Sequence, residues 1–331
     1  MRLISTRAIP RPIRRAWLKK QIEKKWQQDV RYLPLKDEHR DLYDIIHRFT
    51  WKETKTFPDL VSPRSINDKM QWLKLFDQTR NKIFCSDKIR VRDYVERTVG
   101  PFNVPQLYQT VRRFSEIEFS TLPPHFVIKT NHDSGTGILV KDRPTETLIE
   151  TFRPRLERAL ANKTFGWDKG EWAYRFIEPR ILVEEYLSPQ SHDAPPDFKF
   201  FCIEGNARFC HYIRDRYTNP KEQVVDLDGN DLGQSLNPEF KLLSDFVKPD
   251  NWLKMIEMAE SVSREFKFVR VDMYNIDGRI AVGEMTMWPQ AGMYRGNGQK
   301  VLGELIDFDL TTVRPPILHL LLKQANPVVE R

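Results

Sequence analysis

No stretch of the 331 residues approaches the roughly 18–20 consecutive apolar residues that a membrane-spanning helix needs. Nor does the chain carry a leader with a charged start, an apolar core and a small-residue cleavage site, and the expectation is a protein that is not secreted. Cysteine is scarce. Cys85, Cys202 and Cys210 are odd in number, form no C-x-x-C and do not match zinc-site spacings. That argues against a disulfide framework and predicts three buried thiols in a reducing cytosol. Internal repeats and low-complexity segments are also missing.

What is there suits a folded protein: 40% hydrophobic and 11% aromatic residues, enough for one large core or two to three small subdomains. The net charge of +7 is local. Residues 1–40 hold twelve Lys/Arg against four Asp/Glu, leaving 41 basic and 42 acidic residues in the rest. Within this leader Leu18, Ile22, Trp26 and Val30 recur every four residues, as on one helix face, among Lys19, Lys20, Lys24 and Lys25. Two readings stay open. One is peripheral contact with an anionic membrane surface or polymer through residues 1–40. The other is a helix packed on its own protein or on a dimer partner. No nucleic-acid-binding module follows the basic leader, so no nucleic-acid partner is expected. The expected location is cytoplasmic, with peripheral attachment at the inner face of the membrane under the first reading.

Four regions are expected. Residues 1–60 form the basic leader and connecting helices. Residues 61–122 read as helical, with Ser86 a cap for a helix bearing Val91, Tyr94, Val95 and Val99, and Gly100-Pro101 its stop. Residues 123–187 hold a strand at 126–130, a glycine-bearing turn, a helix at about 146–162 and a strand at 181–187. Residues 188–331 form a C-terminal part, β-rich over 197–310, with strands at 198–203, 207–215, 268–274 and 280–287 and a helix at about 252–266. Glu204-Gly205-Asn206 and Asp277-Gly278 are hairpin signals. The fold class is α+β with antiparallel sheets.

Four constellations could carry chemistry. In FVIKTNHDSGTG an apolar strand delivers Lys129 to a loop holding Gly135 and Gly137, which suits triphosphate: the ammonium neutralises charge and small residues let backbone N–H groups approach oxygens. An ordinary β-turn serves the same pattern. In ILVEEYL a buried strand emerges at Glu184-Glu185, either a hinge for adenine or a solvent-facing pair. In FVRVDMYNIDGRIAVGEMTMWPQAG, Glu284 and Thr286 lie two apart on one strand, and the hairpin sets Asp272 beside them. Three such oxygens suit Mg²⁺, which takes oxygen ligands and keeps waters or phosphates in its other positions. Arg270 shares parity with Asp272. Finally, DFKFF presents Lys199 opposite its apolar neighbours, and HYIRDRY offers Arg214 and Arg216 as planar forks for phosphate or carboxylate, or as ordinary surface ion pairs.

Taken in order, SINDKMQWLK, SDKIRVRDYV, FVIKTNHDSG, DFKFF, VRVDMY and GEMTMWPQAGM resemble the TupA-like ATP-grasp family of polysaccharide biosynthesis, over about residues 60–305. The resemblance implies an ATP-grasp fold: two antiparallel-sheet subdomains clasp ATP, residues 123–187 form the mobile lid, and a helical N-terminal extension lies outside. It implies that Lys88 and Lys129 contact the phosphates, with Ser134, Gly135 and Gly137 in the loop beside them. Glu184, Glu185 and Leu187 would hold the adenine end, and Lys199 a phosphate. Asp272 and Glu284 would bridge Mg²⁺. Thr286 stands where many ATP-grasp enzymes have Asn.

The activity implied is a ligase. ATP converts a carboxylate, a uronic acid of a surface glycan or an amino acid, to an acylphosphate that an amine attacks. Lys199, Arg214 and Arg270 would be the catalytic cations. Competing readings are a glycan or sugar kinase on the same fold, a glycosyltransferase using Asp226-Leu227-Asp228, and a non-catalytic assembly factor. Ser188 to Pro196 and residues 288–300 are the expected acceptor loops.

Overall fold

The computed structural model describes residues 11–187, 195–216 and 218–325. Residues 1–10 of the basic leader and 188–194 of the expected acceptor loop lie outside the described residues. In chain order the elements are α1 (Arg11–Asp29), α2 (Arg40–Thr54), α3 (Ile66–Phe76), α4 (Arg80–Ser86), α5 (Arg90–Val99), β1 (Leu107–Val111), β2 (Phe126–Thr130), β3 (Ile138–Val140), α6 (Glu146–Ala161) and β4 (Ile181–Glu185). There follow β5 (Asp197–Ile203), β6 (Asn206–Arg214), β7 (Lys221–Val225), β8 (Lys241–Leu242), α7 (Trp252–Ser263), β9 (Val269–Ile276), β10 (Arg279–Thr286), α8 (Gly298–Leu305) and α9 (Leu318–Ala325).

The strands form two sheets. The small one runs β1-β4-β2-β3 and the large one β10-β9-β5-β6-β7-β8. Every pair is antiparallel except the two-residue pairing of β7 with β8. In the small sheet, Phe126, Ile128, Val140, Ile181 and Val183 meet Phe152 and Leu156 of α6. Strand alternation therefore sends Lys129, Leu182 and Glu184 to the opposite face. In the large sheet, Phe198 and Phe200 pack on Trp252 of α7, so Lys199, of opposite parity, faces away from that helix.

Local chemistry sets the boundaries. Ser65 caps α3 by accepting from Asp68 N at 3.0 Å, and Thr145 caps α6 through Leu148 N at 3.3 Å. Both expected hairpins form, with φ of 49° and 83° at Glu204-Gly205 and 50° and 90° at Asp277-Gly278. Positive φ at both central residues is the turn whose twist matches the flanking strands.

Three expectations need correction. Ser86 is the last residue of α4, and the side chain that binds backbone just ahead of α5 is Asp87, its carboxylate accepting from Ile89 N at 2.9 Å. The region 61–122 is not helical to its end: after α5 stops at Gly100, Leu107–Val111 forms an edge strand of the small sheet, antiparallel to β4. Edge position leaves all five residues half-buried, so they lack the alternation that marks a strand. The β-rich part also holds β7 and β8, which extend the large sheet beyond the expected four strands. The three cysteines are free and buried, as expected.

Candidate active site

The organising feature is a row of charged side chains across the large sheet. Register places Glu284 opposite Asp272, Asp272 opposite Lys199, and Lys199 opposite His211. The first pairing depends on a bulge. From the hairpin tip the register runs Ile276↔Arg279 to Met273↔Val282, then skips Gly283, so that Glu284 rather than Gly283 faces Asp272. Without the extra residue Glu284 would point to the other face. Only glycine fits: a Cβ at 283 would lie 2.7 Å from Cε2 of Tyr274.

Asp272 is locked. Arg270 Nε and Nη2 donate to its two oxygens at 2.6 and 2.7 Å, and Lys199 Nζ donates at 2.6 Å. Burial pushes this carboxyl up, but Arg270 and Lys199 outweigh it and hold the group down at about 2. Lys199 also donates to Asp197 at 3.1 Å, and Arg216 reaches the same Asp197 oxygen at 3.1 Å. Arg270 further donates to Thr286 Oγ1 at 3.2 Å and to the Tyr294 hydroxyl at 3.2 Å. Beyond Lys199, His211 bonds Glu222 at 2.8 Å. Glu222 also accepts from Ser235, from the Leu236 and Asn237 backbones and from the Asn237 amide.

The small sheet presents Lys129 against Glu184 at 2.5 Å, and Arg92 donates to the other Glu184 oxygen at 3.2 Å. Lys88 sits between the sheets. Its backbone N–H donates to Asn131 O at 3.0 Å and its ammonium to Asp133 O, and the charges of Glu284, Lys129 and Glu184 act on it. Burial pushes Lys88 below the usual lysine range. Asp133 organises the glycine loop, with its carboxylate accepting from Thr130 and Thr136. Ser134, Gly135 and Gly137 are exposed, and nothing lies within 4 Å of where a Cβ would sit on either glycine.

Lys88, Lys129, Glu184, Lys199, Arg270, Asp272, Glu284 and Thr286 are thus brought onto facing surfaces, with the Ser134–Gly137 loop at the end of β2. Arg214 is not among them. It shares parity with Tyr212, whose ring meets Phe198 and Phe246, and it pairs with Asp245 at 3.1 Å on the α7 side. Arg216 stands nearer the row, because Asp215 takes a left-handed conformation (φ 58°) at the end of β6. Glu185 is engaged elsewhere: Arg279 of β10 grips both its oxygens at 2.6 and 3.0 Å. Leu187 is buried just beyond β4. Asp226 is occupied by Asn230 N and Nδ2 at 2.8 and 2.9 Å, a closed turn rather than an open acidic motif.

The donor set fits one Mg²⁺ shared with phosphate. Among the described residues no three His, Cys, Asp or Glu groups gather at metal distance. Two facing carboxylates remain, which is what Mg²⁺ commonly takes when phosphates complete its shell. Asp272 accepts three N–H bonds out of about four lone-pair sites. Glu284 has no ion pair or hydrogen bond among the described residues and would be the open ligand. Arg92, Tyr294 and the Gly283 bulge escaped the sequence reading. Arg92 lies one helical turn beyond Lys88, a spacing that could have flagged it; Tyr294 carried no local signal.

Comparison with known proteins settles the family. The family described as TupA-like ATPgrasp matches residues 68–307. The chain belongs to the TupA-like ATP-grasp family. No curated protein matches it. Solved structures similar to this TupA-like chain include D-alanine–D-alanine ligase from Bacillus anthracis complexed with ATP, at 14% identity and TM-score 0.39, covering 73% of this chain and 67% of that one. The D-alanine–D-alanine ligase from Coxiella burnetii gives 13% identity and TM-score 0.41, covering 79% and 67%. The ATP-grasp ligase PsnB with a minimal precursor gives 13% and 0.37, covering 75% of this chain and 62% of its own length.

Proposed function

We propose that this TupA-like protein is an ATP- and Mg²⁺-dependent ligase that joins a carboxylate to an amine through an acylphosphate, with a uronic acid of a cell-surface glycan or an amino acid as the carboxylate. The observation that carries the reading is the pair of charged faces: the Glu284–Asp272–Lys199 row across the large sheet, and Lys129 on Glu184 of the small sheet with Lys88 bonded to Asp133 O of the glycine loop. A polyphosphate is the ligand that needs cations from both sides and a carboxylate pair to share a metal.

In this reading Lys88 and Lys129 bind phosphate oxygens, and the Ser134–Gly137 loop offers backbone N–H groups. Lys129 must exchange its bond to Glu184 for phosphate, and Arg92 stays on the freed carboxylate. Asp272 and Glu284 would hold Mg²⁺, which when bound supplies positive charge to the transferring phosphoryl group. Arg270, fixed by Asp272 and Tyr294, orients the substrate carboxylate and stabilises the tetrahedral oxyanion left when the amine attacks. Arg216 replaces Arg214 as the second arginine beside the row. The small sheet closing over the large one keeps water from the acylphosphate.

The first test is a thermal shift with ATP and Mg²⁺ on wild type, Lys129→Ala and Glu284→Ala. The expected result is Mg²⁺-dependent stabilisation in wild type only. ADP release should then require both a carboxylate and an amine. Release with a hydroxyl acceptor alone, and a phosphorylated product, would replace the ligase with a kinase. Stabilisation by a sugar nucleotide but not by ATP would discard the nucleotide assignment.

A further inference from the structure

The basic leader divides its helix between two surfaces. Ile22 and Trp26 are buried against α2, with Trp26 edge-on to Tyr43 and Asp29 accepting from the Tyr43 hydroxyl at 2.9 Å. The apolar stripe is therefore largely used for internal packing. The first turns are less covered: every residue from Pro12 to Trp17 is exposed, although the Trp17 ring also leans on Trp51 of α2, with 5.1 Å between centroids. At about 100° per residue, Ile13, Trp17, Lys20 and Lys24 fall within about 60° of one another, opposite Ile22 and Trp26. Arg14 flanks them, whereas Arg15 and Lys19, although exposed, project toward the side that holds Ile22 and Trp26. Arg14, Arg15, Lys19, Lys20 and Lys24 form no ion pair among the described residues, and Glu23, the acidic residue among them, is taken by Arg40 at 2.7 Å. The sequence of residues 1–10 adds Arg2 and Arg7 and no acid.

We propose that this outward face of α1 docks the protein on an anionic lipid bilayer. An anchored helix presents Arg14, Lys20 and Lys24 around Ile13 (59% exposed) and the open side of Trp17 (45%), with Arg15 and Lys19 exposed behind them. Cations attract the negative surface, and an indole with one aliphatic neighbour enters the headgroup boundary. Charge complementarity and the Trp/Ile pair together select a lipid surface over a soluble polyanion, which would reward the charges alone. The proposal is independent of the ligase reading, because none of these residues belongs to the cleft.

The test is co-sedimentation of the full chain with vesicles of phosphatidylcholine alone and with vesicles containing phosphatidylglycerol. Binding should be confined to the anionic vesicles and fall with salt. Each basic residue near such a surface contributes about fivefold to partitioning, so Arg14→Glu/Lys20→Glu/Lys24→Glu should lose at least about a hundredfold. Ile13→Ser, with charge kept, should lose about threefold. Equal binding to both vesicle types, or full binding by the triple variant, would overturn the proposal. So would displacement from vesicles by polyphosphate together with unchanged binding of Ile13→Ser. These four side chains are exposed, so both variants should keep the wild-type Tm. A lowered Tm would mean that this face packs against the body, which also overturns it.

Discussion

The two sheets carry charge in opposite ways. In the large sheet, Asp272, Arg270, Lys199, Asp197 and Arg216 form one bonded chain, and His211 with Glu222 forms a second beside it, most of these groups buried. These side chains hold one another in place before any ligand arrives. The small sheet has a smaller core beneath α6, and its cleft face offers Lys129, partly exposed, on a single carboxylate. Its glycine loop is open to solvent. One surface is preorganised and the other is adaptable, the division of labour expected of a base and a lid. A substitution in the large sheet should therefore act on stability and function together, and one in the small sheet mainly on function.

The largest effect should come from Asp272→Ala. Removing this carboxylate leaves Arg270 and Lys199 buried beside each other without their main counter-charge, a loss of about 3–5 kcal/mol. Denaturant unfolding checks it. A change below about 1 kcal/mol would show that the row is solvated and end the idea of a preorganised base. Next is acid stability. Burial pushes Glu222 up, but His211 and Asn237 hold it down at about 2 against an ordinary 4.5. A depressed carboxyl stabilises the fold above its unfolded value, and the gain is lost as pH falls through the folded one. This is roughly 3 kcal/mol surrendered between pH 4.5 and 2. Glu222→Gln should flatten the pH dependence of unfolding over that window; an unchanged slope would refute the assignment.

Gly283→Val should come third, at about 1–3 kcal/mol, as its Cβ meets the Tyr274 ring at 2.7 Å. It sharpens the comparison because the bulge alone puts Glu284 opposite Asp272. The ATP- and Mg²⁺-dependent thermal shift should disappear along with the lost stability. A variant that is destabilised yet still responds to ATP would show that the alignment is not what the site needs.

The sequence made much of this legible, and unevenly. Strands β5, β6, β9 and β10 could be read because their central residues alternate and glycine turns join them in pairs. That Asp272, Glu284 and Thr286 share a face was legible from spacing, but for an incomplete reason. A regular hairpin from Asp277-Gly278 would have set Gly283 against Asp272, and no local pattern marks the bulge that corrects this. That Arg216 rather than Arg214 stands beside the row was not legible, because strand parity cannot foresee the left-handed Asp215 at the end of β6. β1 escaped because an edge strand has no fully buried side. Tyr294 and Glu222 owe their places to neighbours distant in sequence, Arg270 and the 235–237 loop, and no local pattern marks such partners.

The smallest effect is the most discriminating. Arg279 of β10 grips Glu185 of β4 with two bonds and donates to Val104 O at 3.1 Å, so it ties the large sheet to the small one. The pair is partly solvent-exposed, so screening limits Arg279→Ala to about 1 kcal/mol or less in global stability. Its consequence should lie in the relation between the sheets. If the small sheet is a lid, loosening this tie makes it easier to open, and proteolysis within residues 123–187 should speed up without ATP. Saturating ATP and Mg²⁺ should restore protection, since the nucleotide then bridges the sheets in place of the tie. Cleavage at the wild-type rate without ATP would mean that the tie does not hold the lid. Acceleration that ATP does not reverse would mean that the small sheet has been damaged rather than freed, and the contrast between base and lid would fail at the lid.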